Sequence, residues 1–317
     1  MTNKEWFKDA KYGMMVHWGL YCLPAGEWKG TRIPGIGEWI QYQCRIPHDE
    51  YAALANAFNP ILFDADEWVK LALDSGMKYM VVTSKHHDGF AMYHSKVSKY
   101  NVVDATPFGR DVIGELANSC AKHGLKFGLY YSQALDWAHP DGAGYDCGEH
   151  GCDNFWDWDR KTKDYSRCFE EKIKPQVKEI LTQYGDLCLI WFDVPQTIKP
   201  EQSLELYNYV KKYQPNCLIN SRIGNGVCDY RSLGDNEISD HDFGDELVET
   251  AATTNDTWGY KAFDQNWKDA NEIIRIKNHL NERGINYLLN VGPDYLGRIP
   301  SPSADILREV GGKLAVK

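Results

Sequence analysis

Short apolar, β-branched runs alternate with stretches of helical periodicity from one end of the chain to the other. Residues 14–17, 79–84, 127–131, 188–192, 217–220, 233–238, 256–260 and 287–291 read as strands. Most lack polar alternation, which is the pattern of strands covered on both faces. Amphipathic spacing predicts helices over residues 65–75, 110–123, 164–183, 202–213, 269–282 and 303–316. Gly76, Gly124, Gly185, Pro215 and Gly284 stand where a helix hands over to the next strand. Eight strands alternating with helices predict a (β/α)8 barrel in α/β style, one domain over residues 1–317. Between Arg222 and Tyr260 two strands appear with no helix, so the barrel is expected to be irregular between its fifth and eighth strands.

The polar residues that interrupt this pattern collect at one end of the strands. The first ends in His17-Trp18-Gly19 and the second in Lys85-His86-His87-Asp88. Tyr130 and Ser132 close the third, Trp191 and Asp193 the fourth, and Arg222 follows the fifth. The sixth region carries Asp235, the seventh Trp258 and the eighth Asn290-Val291-Gly292-Pro293. A lone strand-end histidine is usually structural. Eight such coincidences at the carboxyl ends of the strands predict one shared cavity, where barrels build their active sites.

Composition narrows the chemistry. The 11 Trp and 19 Tyr exceed the needs of a core this size, and aromatic faces stack well on sugar rings. A formal net charge of −10 argues against nucleic acid and anionic membrane as partners. No apolar stretch has the length of a membrane span, and the first residues show no secretory h-region, so a cytoplasmic location is expected. The nine cysteines are odd in number, and Cys120, Cys168, Cys188 and Cys217 read as reduced core residues. Cys147 and Cys152 flank His150 in a Gly-rich loop; three ligands without a fourth make a weak metal site, and a mobile loop is the better reading.

By strand alternation Trp191 and Asp193 face the same side, placing a carboxylate beside an indole at the barrel mouth. A retaining glycosidase needs a second carboxyl nearby. Asp235, Glu237, Glu246 and Glu249 are the candidates, all in the acidic stretch after the fifth strand.

Together with Gly37-Glu38-Trp39, Lys85-His86-His87-Asp88-Gly89-Phe90, Trp191-Phe192-Asp193, Asn220-Ser221-Arg222, Gly234-Asp235-Asn236, Thr257-Trp258-Gly259-Tyr260 and Asn290-Val291-Gly292-Pro293, these features make nearly the whole chain resemble the α-L-fucosidases of glycoside hydrolase family 29. The resemblance implies a retaining exo-fucosidase that releases terminal α-L-fucose from fucosylated glycans by double displacement, with Asp193 as nucleophile. It implies fucose binding by His17, Glu38, Trp39, His86, His87, Tyr130, Trp191 and Arg222, an apolar patch for the sugar's methyl group, and no cofactor or metal. Asp235 best matches the acid/base position, with Glu249 its rival. The chain stops one helix after Gly292-Pro293, so the C-terminal β-sandwich of many members is not expected.

Two other classes fit part of this pattern. An inert sugar-binding protein would keep the pocket, but loss of Asp193 or Asp235 is the simple route to one, and both are present. A metal-dependent hydrolase could use His17, His86 and His87, yet adjacent histidines on a strand tend to point to opposite faces.

Overall fold

The computed structural model describes residues 3–316. Eight parallel strands form one sheet: β1 (Tyr12–Val16), β2 (Tyr79–Lys85), β3 (Lys126–Ser132), β4 (Leu189–Asp193), β5 (Leu218–Ile219), β6 (Arg231–Ser232), β7 (Val248–Thr253) and β8 (Ile285–Val291). Their spatial order is β5-β4-β3-β2-β1-β8-β7-β6, the chain order wrapped around a ring. The ring closes where Asn220, just past β5, bridges in parallel to Tyr230, just before β6. The protein is therefore a (β/α)8 barrel of TIM type.

The apolar runs became strands because both of their faces are covered. Inward-facing Met15, Tyr79, Val81, Tyr130, Leu189, Trp191 and Leu288 pack together inside the barrel. Outward-facing Met14, Met80, Val82, Leu129, Ile190 and Leu289 join the helices in a second core. A short helix, Asn3–Ala10, plugs the amino-terminal end of the barrel, its Phe7 ring 4.6 Å from that of Tyr230. Helices start at capping aspartates: Asp64 before Ala65–Asp74, Asp111 before Val112–His123 and Asp269 before Ala270–Glu282. Gly124 closes the second of these in the left-handed region, φ 73°.

Two predicted strands are displaced. Residues 233–238 and 256–260 are turns and loops, while the sixth strand lies just before the first and the seventh is Val248–Thr253. The seventh reads poorly as a strand because it is built of Glu, Thr and Ala. Its side chains are small where the barrel is tight, and the one large group, Glu249, is buried. Only a single 3-10 turn, Ser221–Ile223, lies between β5 and β6, and no α-helix separates β6 from β7, the irregularity that the pattern around Arg222 to Tyr260 predicts.

Candidate active site

A cavity of about 410 Å³ opens at the carboxyl ends of the strands, within the range of small-molecule sites. Every predicted sugar-binding residue lines it: His17, Glu38, Trp39, His86, His87, Tyr130, Trp191 and Arg222, together with Asp193 and Asp235. Met15, Ile36, Cys147, Val194, Pro195, Gln196 and Trp258 complete the lining. Trp258 and Cys147 already stand out in the sequence; Ile36 and Val194–Gln196 do not, although the latter directly follow Asp193.

The two aspartates share one guanidinium. Arg222 Nη1 lies 3.1 Å from Asp193 Oδ1 and its Nη2 lies 2.5 Å from Asp235 Oδ1. Burial works against the Arg222 charge, but Asp193 and Asp235 outweigh it and raise the group above its usual range. The Tyr130 hydroxyl donates to Asp193 Oδ2 at 2.7 Å, so both carboxylate oxygens of Asp193 are held. Asp193 is largely covered, whereas the Asp235 side chain is about half exposed, at 51%. One carboxylate is fixed and the other has room to move.

The imidazoles are neutral and their tautomers can be read from their partners. Asn290 Nδ2 donates to the Trp258 carbonyl at 2.8 Å, so its Oδ1 is the acceptor facing His17 Nδ1 at 2.7 Å. His17 therefore carries its proton on Nδ1 and leaves Nε2 as an acceptor. Ser132 Oγ donates to the Leu135 carbonyl at 2.9 Å and so accepts from His87 Nδ1 at 2.7 Å, leaving Nε2 of that ring as an acceptor as well. Burial lowers all three histidines, His17 to about 4, with His87 and His17 pushing His86 further down. His86 Nδ1 is buried with no partner. The rings of His86 and His87 are 3.9 Å apart and both line the cavity. The expectation that they face opposite ways fails because β2 ends at Lys85, before either of them.

Glu38 comes from the 3-10 turn Gly37–Trp39 and accepts from the Gly259 amide at 2.7 Å. Burial pushes its carboxyl up to about 7, so near neutral pH it can donate as well as accept. Beneath His87, Asp136 lies 2.9 Å from Lys85 Nζ and 2.7 Å from Lys172 Nζ, a buried ion cluster that braces the loop after β2.

The rival carboxylates lie elsewhere. Glu249 is fully buried below the pocket floor, accepting from Trp191 Nε1 at 2.9 Å and from the Tyr79 hydroxyl at 2.6 Å. It does not line the cavity. Glu237 caps the Gly234 amide and Glu246 pairs with Arg231 on the surface. Cys147 and Cys152 form a disulfide, which removes both sulfurs from any metal. The sequence reading of that loop, a mobile segment rather than a metal site, does not foresee this bond. Cys120, Cys168, Cys188 and Cys217 are free and buried.

A family model described as "Alpha-L-fucosidase" matches residues 1–317. An α-L-fucosidase of Dictyostelium discoideum is 29% identical over 98% of this chain and 69% of its own length. The human tissue α-L-fucosidase is 29% identical over 98% of the chain and 67% of its own length. Among solved structures, the α-L-fucosidase AlfC of Lactobacillus casei in complex with its α-L-fucose product superposes with TM-score 0.95 at 55% identity, covering 99% of this chain and 98% of that one. An AlfC variant in complex with Fucα(1,6)GlcNAc gives 0.94 at 54% identity, with the same coverage.

Proposed function

The chain belongs to the α-L-fucosidase family, and from that premise we propose how its own residues release fucose. The enzyme is a retaining glycoside hydrolase acting on terminal α-L-fucose. Asp193 attacks the anomeric carbon and expels the leaving sugar, forming a glycosyl ester; Asp235 protonates the departing oxygen and then deprotonates the water that opens the ester. The observation that carries this reading is Arg222 gripping both carboxylates in one pocket. A single guanidinium fork spans two carboxylates only when they stand a few ångströms apart. Both then reach one sugar ring, as the family's retaining chemistry requires of a pair ~5–5.5 Å apart, one carboxyl to attack and one to protonate. The hold of Tyr130 and Arg222 on both oxygens of Asp193 aims the nucleophile, and the freedom of Asp235 lets it serve both half-reactions.

The fucose ring is held by acceptors at His17 and His87, by His86, and by Glu38 in either role. A sugar's hydroxyls donate and accept, so this mixture suits them. Met15, Trp191 and Trp258 supply the apolar patch for the methyl group. The test is NMR of the first product released from an aryl α-L-fucoside. The α-anomer appearing before mutarotation supports the reading, and the β-anomer contradicts it.

A further inference from the structure

The cavity has a second wall that none of the fucose-holding residues supplies, built by Ile36, Cys147 and the turn Val194–Gln196 directly after Asp193. Val194 has φ 54° and Thr197 φ 73°, so two β-branched residues sit in the left-handed region. Such placements are strained and persist only where the surroundings enforce them. Here they do. Thr197 Oγ1 accepts from the Gly144 amide at 3.1 Å and donates to the Asp146 carboxylate. The Cys147–Cys152 disulfide ties the same loop back on itself. On the other flank Pro195 packs so closely on Gly224 that a Cβ there would come within 2.8 Å of the proline's own.

This clamped turn presents Gln196 to the cavity, and its carboxamide oxygen is buried with no hydrogen-bond partner. A carboxamide whose oxygen has no partner inside the protein is free to turn toward a ligand, and the clamped turn holds this one at the cavity beside Asp193. We propose that the Val194–Gln196 turn is the binding surface for the leaving sugar. In this assignment Gln196 determines specificity by accepting a hydroxyl or acetamido N–H from the sugar to which fucose is attached. The assignment rests on the fucosidase reading of the pocket: fucose fills the histidine side, so the group expelled lies against the remaining wall, next to Asp235.

The experiment compares wild type with Gln196→Ala and Gln196→Leu on nitrophenyl α-L-fucoside, on α1,2-linked fucosylgalactose and on α1,3-, α1,4- and α1,6-linked fucosyl-N-acetylglucosamine, with inhibition by free L-fucose as a third readout. On the disaccharide that wild type cleaves fastest, kcat/KM is expected to fall about ten-fold, the loss of one hydrogen bond. The nitrophenyl fucoside and the inhibition constant of fucose should change less than about two-fold, since neither engages a leaving sugar. An equal fall on both substrates, or no fall on the disaccharide, overturns the proposal. So does a wild type that cleaves the aryl fucoside but none of the disaccharides. If one variant does not fold, the other decides. A wild type inactive even on the aryl fucoside would instead refute the fucosidase reading itself.

Discussion

Asp235 and Glu249 divide by what each can touch. Asp235 is half exposed at the cavity rim, and Glu249 is sealed under the Trp191 indole. In the proposed mechanism the acid/base is Asp235, while Glu249 holds Trp191, on whose ring the Arg222 guanidinium lies 4.6 Å from the centroid. Asp235→Ala should lower kcat/KM on fucosyl disaccharides by at least about a hundred-fold, because a poor leaving group depends on protonation. Azide should restore turnover of an activated aryl fucoside by that variant, giving fucosyl azide of retained configuration. If Glu249→Ala shows the azide rescue and Asp235→Ala does not, the assignment is wrong.

Glu249 also makes a stability prediction with a definite sign. Burial raises its carboxyl to about 7 in the folded chain from an ordinary value of 4.5. The folded state thus binds the extra proton between those two pH values, and this group's contribution to stability falls as pH rises through that window. Glu249→Gln keeps an acceptor for Trp191 Nε1 and cannot ionise. Relative to wild type the variant should gain roughly 2–3 kcal/mol between pH 4.5 and pH 8. Denaturant titrations at the two pH values check it, and a difference that stays flat or falls with pH contradicts it.

At the scale of the element, the most legible parts of the sequence were those with a covered, apolar pattern. Tyr79–Lys85 and Leu189–Asp193 announced themselves as strands, and the polar residues at their ends pointed to the cavity. Val248–Thr253 did not, since its inward positions are filled by Glu249 and small side chains that pattern reading takes for a loop. The wall at Val194–Gln196 was hidden for another reason: left-handed φ at Val and Thr follows from tertiary clamping, which no local propensity encodes. Gly292 offers a test at this scale. A Cβ there would lie 2.6 Å from the Trp258 carbonyl and 2.9 Å from the Tyr260 amide, both backbone atoms that cannot swing aside. Gly292→Ala must therefore push away the segment whose Gly259 amide holds Glu38 and whose Trp258 lines the pocket. The expected result is weaker inhibition by free fucose together with a lower Tm, and unchanged fucose affinity would show that the close approach does not matter.

Over the whole molecule, stability and chemistry are divided along the barrel axis. The Asn3–Ala10 helix and the Tyr79 and Tyr230 rings fill the amino-terminal end, while the carboxyl ends carry the site. The ring is also uneven around its circumference. β2 and β3 are seven residues each, whereas β5 and β6 at the seam are two residues each and meet through one bridge. Native-state hydrogen exchange should find the amides of β5 and β6 exchanging through local opening, well before those of β2 and β3. Uniform protection around the ring would contradict that picture.

The central claim is that Asp193 forms a covalent bond to fucose. Incubation with 2-deoxy-2-fluoro-α-L-fucosyl fluoride, whose activated leaving group speeds formation of the ester and whose 2-fluorine slows its hydrolysis, followed by intact-mass and peptide analysis, tests it most directly. One fluorofucosyl group per chain is expected, on the peptide containing Asp193, and none on Asp193→Asn. A label on any other carboxylate, or full labelling of Asp193→Asn, would contradict it.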